Sequence, residues 1–333
     1  MNNSALIITS ISTPENKILQ DYAQKAFDRQ MQYIVVGDEA SPDNFNIKGC
    51  EFLSLKTQSS LGFELSKLLP KRHYARKNLG YLKAMKDGVD IIIETDDDNY
   101  AKEDFWNERK KIIPANLYED RGWLNVYKLF TESNIWPRGF SIEHINNIPE
   151  NSSIDKNCNC LIQQGLADEN PDVDAIYRMI LPLPFNFNTG KNVALGKNTW
   201  CPFNSQNTTW FKEVFLLMYL PSYCSFRMTD IWRSFVAQRI CWENDFNILF
   251  HNATVWQERN DHNLLKDFND EIPGYSNNNY IIKELEALNL KKGVEYIPDN
   301  LLSCYNLYTK MNLVDKKEID LIKSWIKDVN ALM

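Results

Sequence analysis

The chain has 333 residues, of which 44% are hydrophobic and 24% charged, so its composition is that of a soluble globular protein with a large core. The formal net charge of −7 disfavours binding to nucleic acid and to anionic membranes. Seven cysteines without a CxxC pair, and no apolar run long enough to span a bilayer, predict reduced thiols and no transmembrane segment. We therefore expect a cytoplasmic protein that is soluble or peripheral to a membrane.

The first hundred residues alternate short apolar strands with helices. The predicted strands are residues 5–9, 33–37 and, more weakly, 51–55. A helix is expected to begin at a cap formed by Ser12 and Thr13, with Pro14 in its first turn, and to end near Arg29. A second helix is expected over residues 78–86 and should stop at Gly88. This alternation predicts an α/β fold with a mainly parallel sheet.

The most informative stretch is an apolar strand, residues 91–95, that ends in an acidic cluster, Asp96-Asp97-Asp98. Ligands of open α/β sheets collect at the carboxyl ends of strands. Carboxylates spaced one residue apart there can hold a hard divalent cation that also binds phosphate oxygens. The alternative interpretation is an acidic turn that only caps the next element.

A basic segment precedes this strand. Its positive or titratable residues are Lys67, Lys71, Arg72, His73, Arg76 and Lys77. Such a run is often a solvated surface. Because the chain must return from it to the sheet within a few residues, we expect Arg76, Lys77 or Asn78 to contact a nucleoside diphosphate.

Three further aspartates, which follow the acidic strand in the chain, are candidate functional residues. Asp172 and Asp174 lie one residue apart, although an aspartate pair after proline often caps a helix. Asp230 opens a helical stretch, where it is either a candidate general base or a structural cap.

Residues 277–279 are expected at a loop tip, and Asp315 with Glu318 resembles a capping box for the last helix.

Several motifs follow one another over most of residues 70–270. They are Arg76-Lys77-Asn78-Leu79-Gly80-Tyr81, Glu94-Thr95-Asp96-Asp97-Asp98-Asn99, Trp136-Pro137-Arg138-Gly139-Phe140, Gln164-Gly165-Leu166-Ala167-Asp168, Pro171-Asp172-Val173-Asp174-Ala175-Ile176-Tyr177-Arg178, Phe203-Asn204-Ser205-Gln206-Asn207-Thr208, the segment from Phe226-Arg227 to Trp242, and Gln257-Glu258-Arg259-Asn260. In this order they resemble the STELLO-type glycosyltransferase family. More distantly, some of them are similar to the plant reversibly glycosylated polypeptides, which act as UDP-arabinopyranose mutases. Plant STELLO proteins are membrane-anchored in the Golgi, whereas we expect no anchor in this sequence, so location and acceptor do not carry over.

The resemblance implies a GT-A type fold, Rossmann-like with a mainly parallel mixed sheet flanked by helices, and here with a helical C-terminal extension. We expect residues 1–250 to form the glycosyltransferase domain, with a nucleotide-binding half (1–100) and an acceptor or sugar half (101–250), and residues 251–333 to form the extension.

The implied function is transfer of a sugar from a nucleoside-diphosphate sugar to a glycan or another hydroxyl acceptor, with Mn²⁺ or Mg²⁺. In this interpretation Asp96 and Asp98 bind the metal. The expected nucleotide-sugar contacts are Thr9, Asp38, Arg76, Lys77, Asn78, Asp97 and Arg138. The catalytic candidates are Asp230, Asp172 and Asp174.

The alternatives are a nucleotide-sugar mutase, a non-catalytic sugar-nucleotide-binding scaffold and, less favoured, a phosphohydrolase with an aspartate nucleophile. The sequence does not specify the nucleobase, the sugar, the acceptor, the stereochemical course or the oligomeric state.

Overall fold

A computed structural model describes residues 3–149, 152–258 and 263–333. Its strands are β1 (Ser4–Thr9), β2 (Gln32–Val36), β3 (Glu51–Leu53), β4 (Ile91–Thr95), β5 (Asn99–Ala101), β6 (Ile112–Tyr118), β7 (Gly122–Trp123), β8 (Ile154–Asn159), β9 (Ile162–Asp168), β10 (Asn192–Leu195), β11 (Thr199–Trp200), β12 (Asn207–Phe211) and β13 (Ile248–Gln257). Its α-helices are α1 (Lys17–Asp28), α2 (Leu55–Ser60), α3 (Leu65–Leu68), α4 (Lys77–Lys86), α5 (Ala175–Ile180), α6 (Thr229–Trp242), α7 (Leu264–Ala287), α8 (Ile297–Lys310) and α9 (Glu318–Asn330).

One large mixed sheet organises the molecule. Its strand order is β3-β2-β1-β4-β12-β9-β13-β10-β6-β8, and β5 pairs with β13 outside this path. The four N-terminal strands run parallel, whereas β12 runs antiparallel to both β4 and β9. The expected α/β class, with helices around a mixed sheet and helices at the C-terminus, is confirmed.

The first helix begins later than the sequence suggested. Asn16 caps it, because the Asn16 side-chain oxygen accepts from the backbone amides of Ile18 and Leu19 at 2.8 and 3.2 Å. The prediction of a cap at Ser12 and Thr13 was therefore wrong. By contrast, α4 ends at Lys86 and is followed by Gly88 with φ +81°, a left-handed conformation that suits glycine and confirms the expected stop.

Two predictions for the C-terminal region were wrong. Residues 277–279 lie within α7, where Asn278 is buried and its amide donates to the Gly139 carbonyl at 2.8 Å. Glu318 does not form a capping box, because its carboxylate accepts from the backbone amides of Ser222 and Tyr223. The polar residues that suggested a loop and a cap instead satisfy buried groups of other segments.

A buried ion pair joins α6 to the acidic strand β4. Arg233 Nη2 lies 2.8 Å from Glu94 Oε1, and both side chains are almost fully inaccessible to solvent. Glu94 also accepts from Tyr81 and Trp210, so its lone pairs are satisfied. Removing one member of such a pair would leave a buried charge unmatched, so the pair holds α6 in one position relative to β4.

The predicted division at residue 250 stays a prediction, and β13 (Ile248–Gln257) runs across it. In the part of the chain that the structure describes, no helix is both long and apolar enough to cross a membrane.

Candidate active site

Two cavities adjoin at the carboxyl ends of β1 and β4. The larger, of about 500 Å³, is lined by Thr9, Ser10, Ile11, Val36, Gly37, Asp38, Glu39, Ala40, Arg72, His73, Tyr74, Arg76, Asp97 and Phe226. The smaller, of about 320 Å³, is lined by Thr9, Tyr74, Asp96, Asp97, Asp98, Arg138, Asp172, Arg178, Ser205, Gln206, Phe226, Arg227, Asp230 and Gln257. Thr9, Tyr74, Asp97 and Phe226 line both, so the two spaces form one cleft. We call the larger the apolar cavity and the smaller the charged cavity.

Aromatic side chains form one wall of the apolar cavity. The rings of His73 and Tyr74 stack with centroids 5.5 Å apart and planes within 11°. Phe226 meets both rings edge-on, at 5.3 and 4.9 Å. Burial lowers the pKa of His73 to about 4, so this wall carries no imidazolium charge at neutral pH. An uncharged aromatic wall suits a planar base.

Arg76 and Asp38, two predicted nucleotide-sugar contacts, line this cavity, and each already has protein partners. The Arg76 guanidinium donates to Gln58 Oε1 at 2.7 Å and to the Leu69 carbonyl at 3.2 Å. Asp38 accepts from the backbone amide of His73 at 2.9 Å. These contacts fix both charged groups at the cavity wall, and burial lowers the pKa of Arg76.

The three carboxylates of the acidic cluster have different partners. Asp96 Oδ1 lies 3.1 Å from the buried ammonium of Lys77. Asp97 accepts from the hydroxyl groups of Ser10 and Ser12, the latter at 2.9 Å. Because their partners differ, the side chains of the adjacent residues Asp96 and Asp97 point in different directions.

Asp98 accepts from the side-chain amide of Gln257 at 3.0 Å and lines the charged cavity together with Asp96. The Asp96 side chain keeps 39% of its surface exposed, so it remains open to a ligand. Packing around the Asp96 carboxyl raises its pKa, and the Lys77 ammonium opposes that shift. A bound cation would favour the ionised carboxylate.

The donor set fits a divalent cation that is shared with a phosphate ligand. Within residues 3–149, 152–258 and 263–333 no group of three or more His, Cys, Asp or Glu side chains is arranged to hold a metal. Two carboxylates, Asp96 and Asp98, nevertheless face one cavity. Mg²⁺ is commonly bound by one or two carboxylates, with substrate phosphates and waters as its remaining ligands.

Arg138 is held between two carboxylates of the charged cavity. Its Nε and Nη2 atoms donate to Asp172 at 2.8 Å each, and its Nη1 and Nη2 atoms donate to Asp230 at 3.0 Å each. Burial opposes charge on Asp230, but the Arg138 guanidinium dominates and holds the pKa of Asp230 well below its usual range. The pKa of Arg138 is correspondingly raised by the two carboxylates, against its burial. Asp230 is thus tightly partnered and weakly basic.

Gly139 explains how Arg138 comes so near to α6. Gly139 has φ +83°, and a Cβ placed on it would lie 2.3 Å from Ile231 Cγ2. Only glycine allows the backbone to pass this close to the first turn of α6, which carries Asp230. Met228 rather than Asp230 occupies the cap position of that helix, so Asp230 is not its N-cap.

Three predicted site residues, Lys77, Asn78 and Asp174, do not line the cleft. The Lys77 side chain is fully buried beneath Asp96. The buried Asp174 carboxylate caps α5, with Oδ1 accepting from the Tyr177 amide and Oδ2 from the Trp136 indole, both at 2.7 Å. Asn78 makes two hydrogen bonds with the backbone of Leu220, both at 2.9 Å. The side chains of Asp174 and Asn78 thus make structural contacts, and the contacts of Asp174 agree with the interpretation that it caps a helix.

Other residues of the cleft were not predicted as site residues. Among them are Ser10, His73, Tyr74, Arg178, Ser205, Gln206, Phe226, Arg227 and Gln257, and Ser12 donates to Asp97 beside them. Ser10 and Ser12 follow the first strand directly, which was an available signal. Tyr74 and Phe226 are 152 residues apart and meet only in the tertiary structure.

Residues 227–333 match the family model of the STELLO glycosyltransferases. Two curated proteins of Arabidopsis thaliana are similar to this chain. "Probable glycosyltransferase STELLO2" is 26% identical over 90% of this chain and 41% of its own length, and "Probable glycosyltransferase STELLO1" is 29% identical over 65% and 31%. The chain thus spans less than half the length of these relatives.

A solved mycobacterial protein is 10% identical, with a TM-score of 0.40 over 83% of this chain and 74% of the other. Of the motif at residues 257–260, Arg259 and Asn260 lie outside the described residues. The family model and the two curated relatives confirm the resemblance of the motifs, and this chain is similar to the STELLO-type glycosyltransferases.

Proposed function

We propose that this protein is a metal-dependent glycosyltransferase that uses a nucleoside-diphosphate sugar. The observation that carries the proposal is the continuity of the two cavities, which share Thr9 and Asp97 at the ends of β1 and β4. An apolar space for a nucleoside next to a charged space for a diphosphate and sugar matches the two halves of such a donor. The relationship to the STELLO family supports the same reaction class.

The nucleoside would occupy the apolar cavity, with its base against the wall formed by His73, Tyr74 and Phe226. Asp38 lies at the end of β2, where a carboxylate can accept from ribose hydroxyl groups. Arg76 would face the diphosphate from this side. Its contact with Gln58 fixes the guanidinium before the ligand arrives, which lowers the entropy cost of binding.

Asp96 and Asp98 would hold Mn²⁺ or Mg²⁺ at the junction of the two cavities. The cation would offset the charge that develops on the leaving nucleoside diphosphate. Lys77, which is buried below Asp96, orients this carboxylate and balances part of the charge of the acidic cluster. Asp97 would serve as a further ligand or as a contact to the sugar.

The sugar would lie against Arg138 and Asp172 in the charged cavity. Asp230 is the candidate general base if the reaction inverts the anomeric centre, and this role stays a prediction. Its contacts favour a second role, because a carboxylate paired with Arg138 is a weak proton acceptor but a strong anchor for the guanidinium. In that role Asp230 positions Arg138 at the wall of the cavity.

A ligand screen tests the proposal. The melting temperature of the protein is measured with nucleoside diphosphates and sugar nucleotides, each with and without Mn²⁺ or Mg²⁺. Ligand binding at a hundredfold excess over Kd stabilises by about 2.7 kcal/mol, so a true ligand is readily seen. We expect at least one nucleoside diphosphate to raise the melting temperature, and we expect the increase to be larger with metal than without it.

Product analysis with labelled donor then identifies the reaction. Transfer to an added sugar acceptor supports the proposal. Ring interconversion without an acceptor would identify a nucleotide-sugar mutase, and binding without turnover would identify a scaffold. If no nucleotide stabilises the protein under any metal condition, the proposed function is wrong.

A further inference from the structure

We propose that a third cavity, beside the acidic cluster, binds a neutral saccharide that accepts the transferred sugar. This acceptor assignment rests on the proposed function, whereas saccharide binding itself can be measured without it. The cavity has a volume of about 680 Å³, and Trp256 and Gln257 lie in its wall. Three features argue for the assignment: its connection to the charged cavity, its aromatic surface and its charge.

Gln257 connects this cavity to the charged cavity, because it lines both. The side-chain amide of Gln257 donates to Asp98 at 3.0 Å, while the backbone carbonyl of Gln257 accepts from the Asn170 side-chain amide at 3.0 Å. Asn170 lines the third cavity. Only Gln257 therefore separates a molecule in this cavity from Asp98, a proposed metal ligand. An acceptor hydroxyl has to lie close to the metal-bound donor, so this position suits an acceptor.

Trp256 provides a rigid aromatic surface in this cavity. Trp256 of β13 pairs directly with Tyr100 of β5, and their rings stack with centroids 4.1 Å apart and planes within 6°. Trp256 is half-buried, and Tyr100 fixes the indole plane without itself lining the cavity. Leu183 and Pro184 add apolar surface. A pyranose ring presents a face of C–H groups, which packs on the electron-rich face of an indole.

The charge of the cavity favours a neutral ligand. Its described carboxylates are Asp168, Glu169 and Glu258, and its described cation, Lys102, is paired with Asp168. An anionic ligand such as a second nucleotide or a sugar phosphate would meet net negative charge. Sugar hydroxyl groups instead find carboxylate and amide acceptors, among them Asn170 and Asn186.

The test is calorimetric and uses the full chain, with maltose, cellobiose and lactose as neutral probes and glucose 6-phosphate as the anionic control. Each probe is titrated with and without the nucleoside diphosphate and Mn²⁺. The variants are Trp256→Ala, Trp256→Phe and, as a matched control on an exposed tyrosine of α7, Tyr280→Ala. Melting temperature and nucleotide affinity are measured for every variant, so that a folding defect is recognised.

We expect at least one neutral disaccharide to bind the wild type and glucose 6-phosphate to bind more weakly. Trp256→Ala should weaken disaccharide binding by at least about tenfold, a typical loss for a buried aromatic anchor. Trp256→Phe should retain part of the affinity, and Tyr280→Ala all of it. Nucleotide affinity should not change in the three variants.

Disaccharide binding that is equal in Trp256→Ala and wild type, or absent from both, would overturn the acceptor site and leave the proposed function standing. Preferred binding of glucose 6-phosphate would overturn it as well. The opposite outcome can be told apart from this one. If the protein binds no nucleotide but binds a disaccharide through Trp256, the saccharide site is supported and the proposed transferase function is contradicted.

Discussion

The ammonium group of Lys77 lies 3.1 Å from the carboxylate of Asp96 and donates to the Thr95 carbonyl at 3.0 Å. Lys77 is completely buried, whereas Asp96 is partly exposed on the side of the cleft. A cation below the acidic cluster reduces the repulsion among three consecutive carboxylates, because its positive charge attracts theirs. Lys77, which the sequence predicts as a nucleotide contact, thus balances part of the negative charge of the acidic cluster from its buried side.

Lys77→Met tests this arrangement. The substitution keeps the length and removes the charge, so we expect the free energy of unfolding to fall by roughly 1.5–3 kcal/mol, the cost of a charged hydrogen bond. Mn²⁺ together with a nucleoside diphosphate should restore part of the loss, because the cation replaces the missing positive charge. Urea denaturation measures both effects. The control Lys67→Met, at an exposed position of α3, should change little. Equal stability of both variants would contradict the role of Lys77.

The second prediction concerns the metal. We expect Asp96→Asn and Asp98→Asn to abolish the part of nucleoside-diphosphate binding that depends on Mn²⁺, because each removes one of the two charged ligands that face the cavity. The melting temperature with nucleotide should then be the same with and without metal. Asp320→Asn, at an exposed position of α9, is the matched control and should bind like the wild type. A retained metal effect in both site variants would exclude them as ligands.

The third prediction separates two roles of Asp230. Both carboxylate oxygens accept from Arg138, and Oδ2 also accepts from the Ser205 amide at 3.1 Å. Asparagine keeps one acceptor and turns an NH₂ group toward a donor. We therefore expect Asp230→Asn to lower the free energy of unfolding by up to roughly 3–5 kcal/mol, as for a broken buried pair, and to weaken donor binding and transfer together.

Calorimetry with donor and metal, alongside initial rates of transfer, measures these effects. A variant that melts like the wild type, binds donor normally and loses transfer by at least roughly a hundredfold would support the general-base role instead. That result would mean that Asp230 leaves Arg138 during the reaction.

The fourth prediction is a pH dependence caused by Asp174. Burial raises the pKa of Asp174 to about 7, against the hydrogen bonds from Tyr177 and Trp136. The ordinary pKa of aspartate is about 3.9, so between roughly pH 4 and pH 7 the folded state binds more protons than the unfolded state. The contribution of Asp174 to the free energy of unfolding therefore falls as pH rises through this window, and then stays constant.

Urea denaturation at a series of pH values from about 5 to 8 measures this effect. In Asp174→Asn the free energy of unfolding should decline less over that range than in the wild type. The exposed Asp320→Asn variant should follow the wild-type curve. Parallel curves for wild type and Asp174→Asn would show that Asp174 does not carry this titration.

What the sequence determined by itself is local. The apolar run of β4 and the carboxylates at its end follow from a pattern of neighbouring residues, as does the end of α4 before Gly88. Hydrophobic periodicity and turn residues act over a few positions, so they can be read without a structure. The family motifs likewise predict Arg138 and Asp172 as residues of one site.

Tertiary structure alone decided which polar groups face the cleft. Arg138 reaches Asp172 across 34 positions and Asp230 across 92, and no local pattern encodes these distances. Asp174 and Asn78 stand in motifs as prominent as theirs, yet they satisfy buried backbone and indole groups. A buried polar group must find a partner wherever packing places one, so its role depends on the segments that the fold brings beside it.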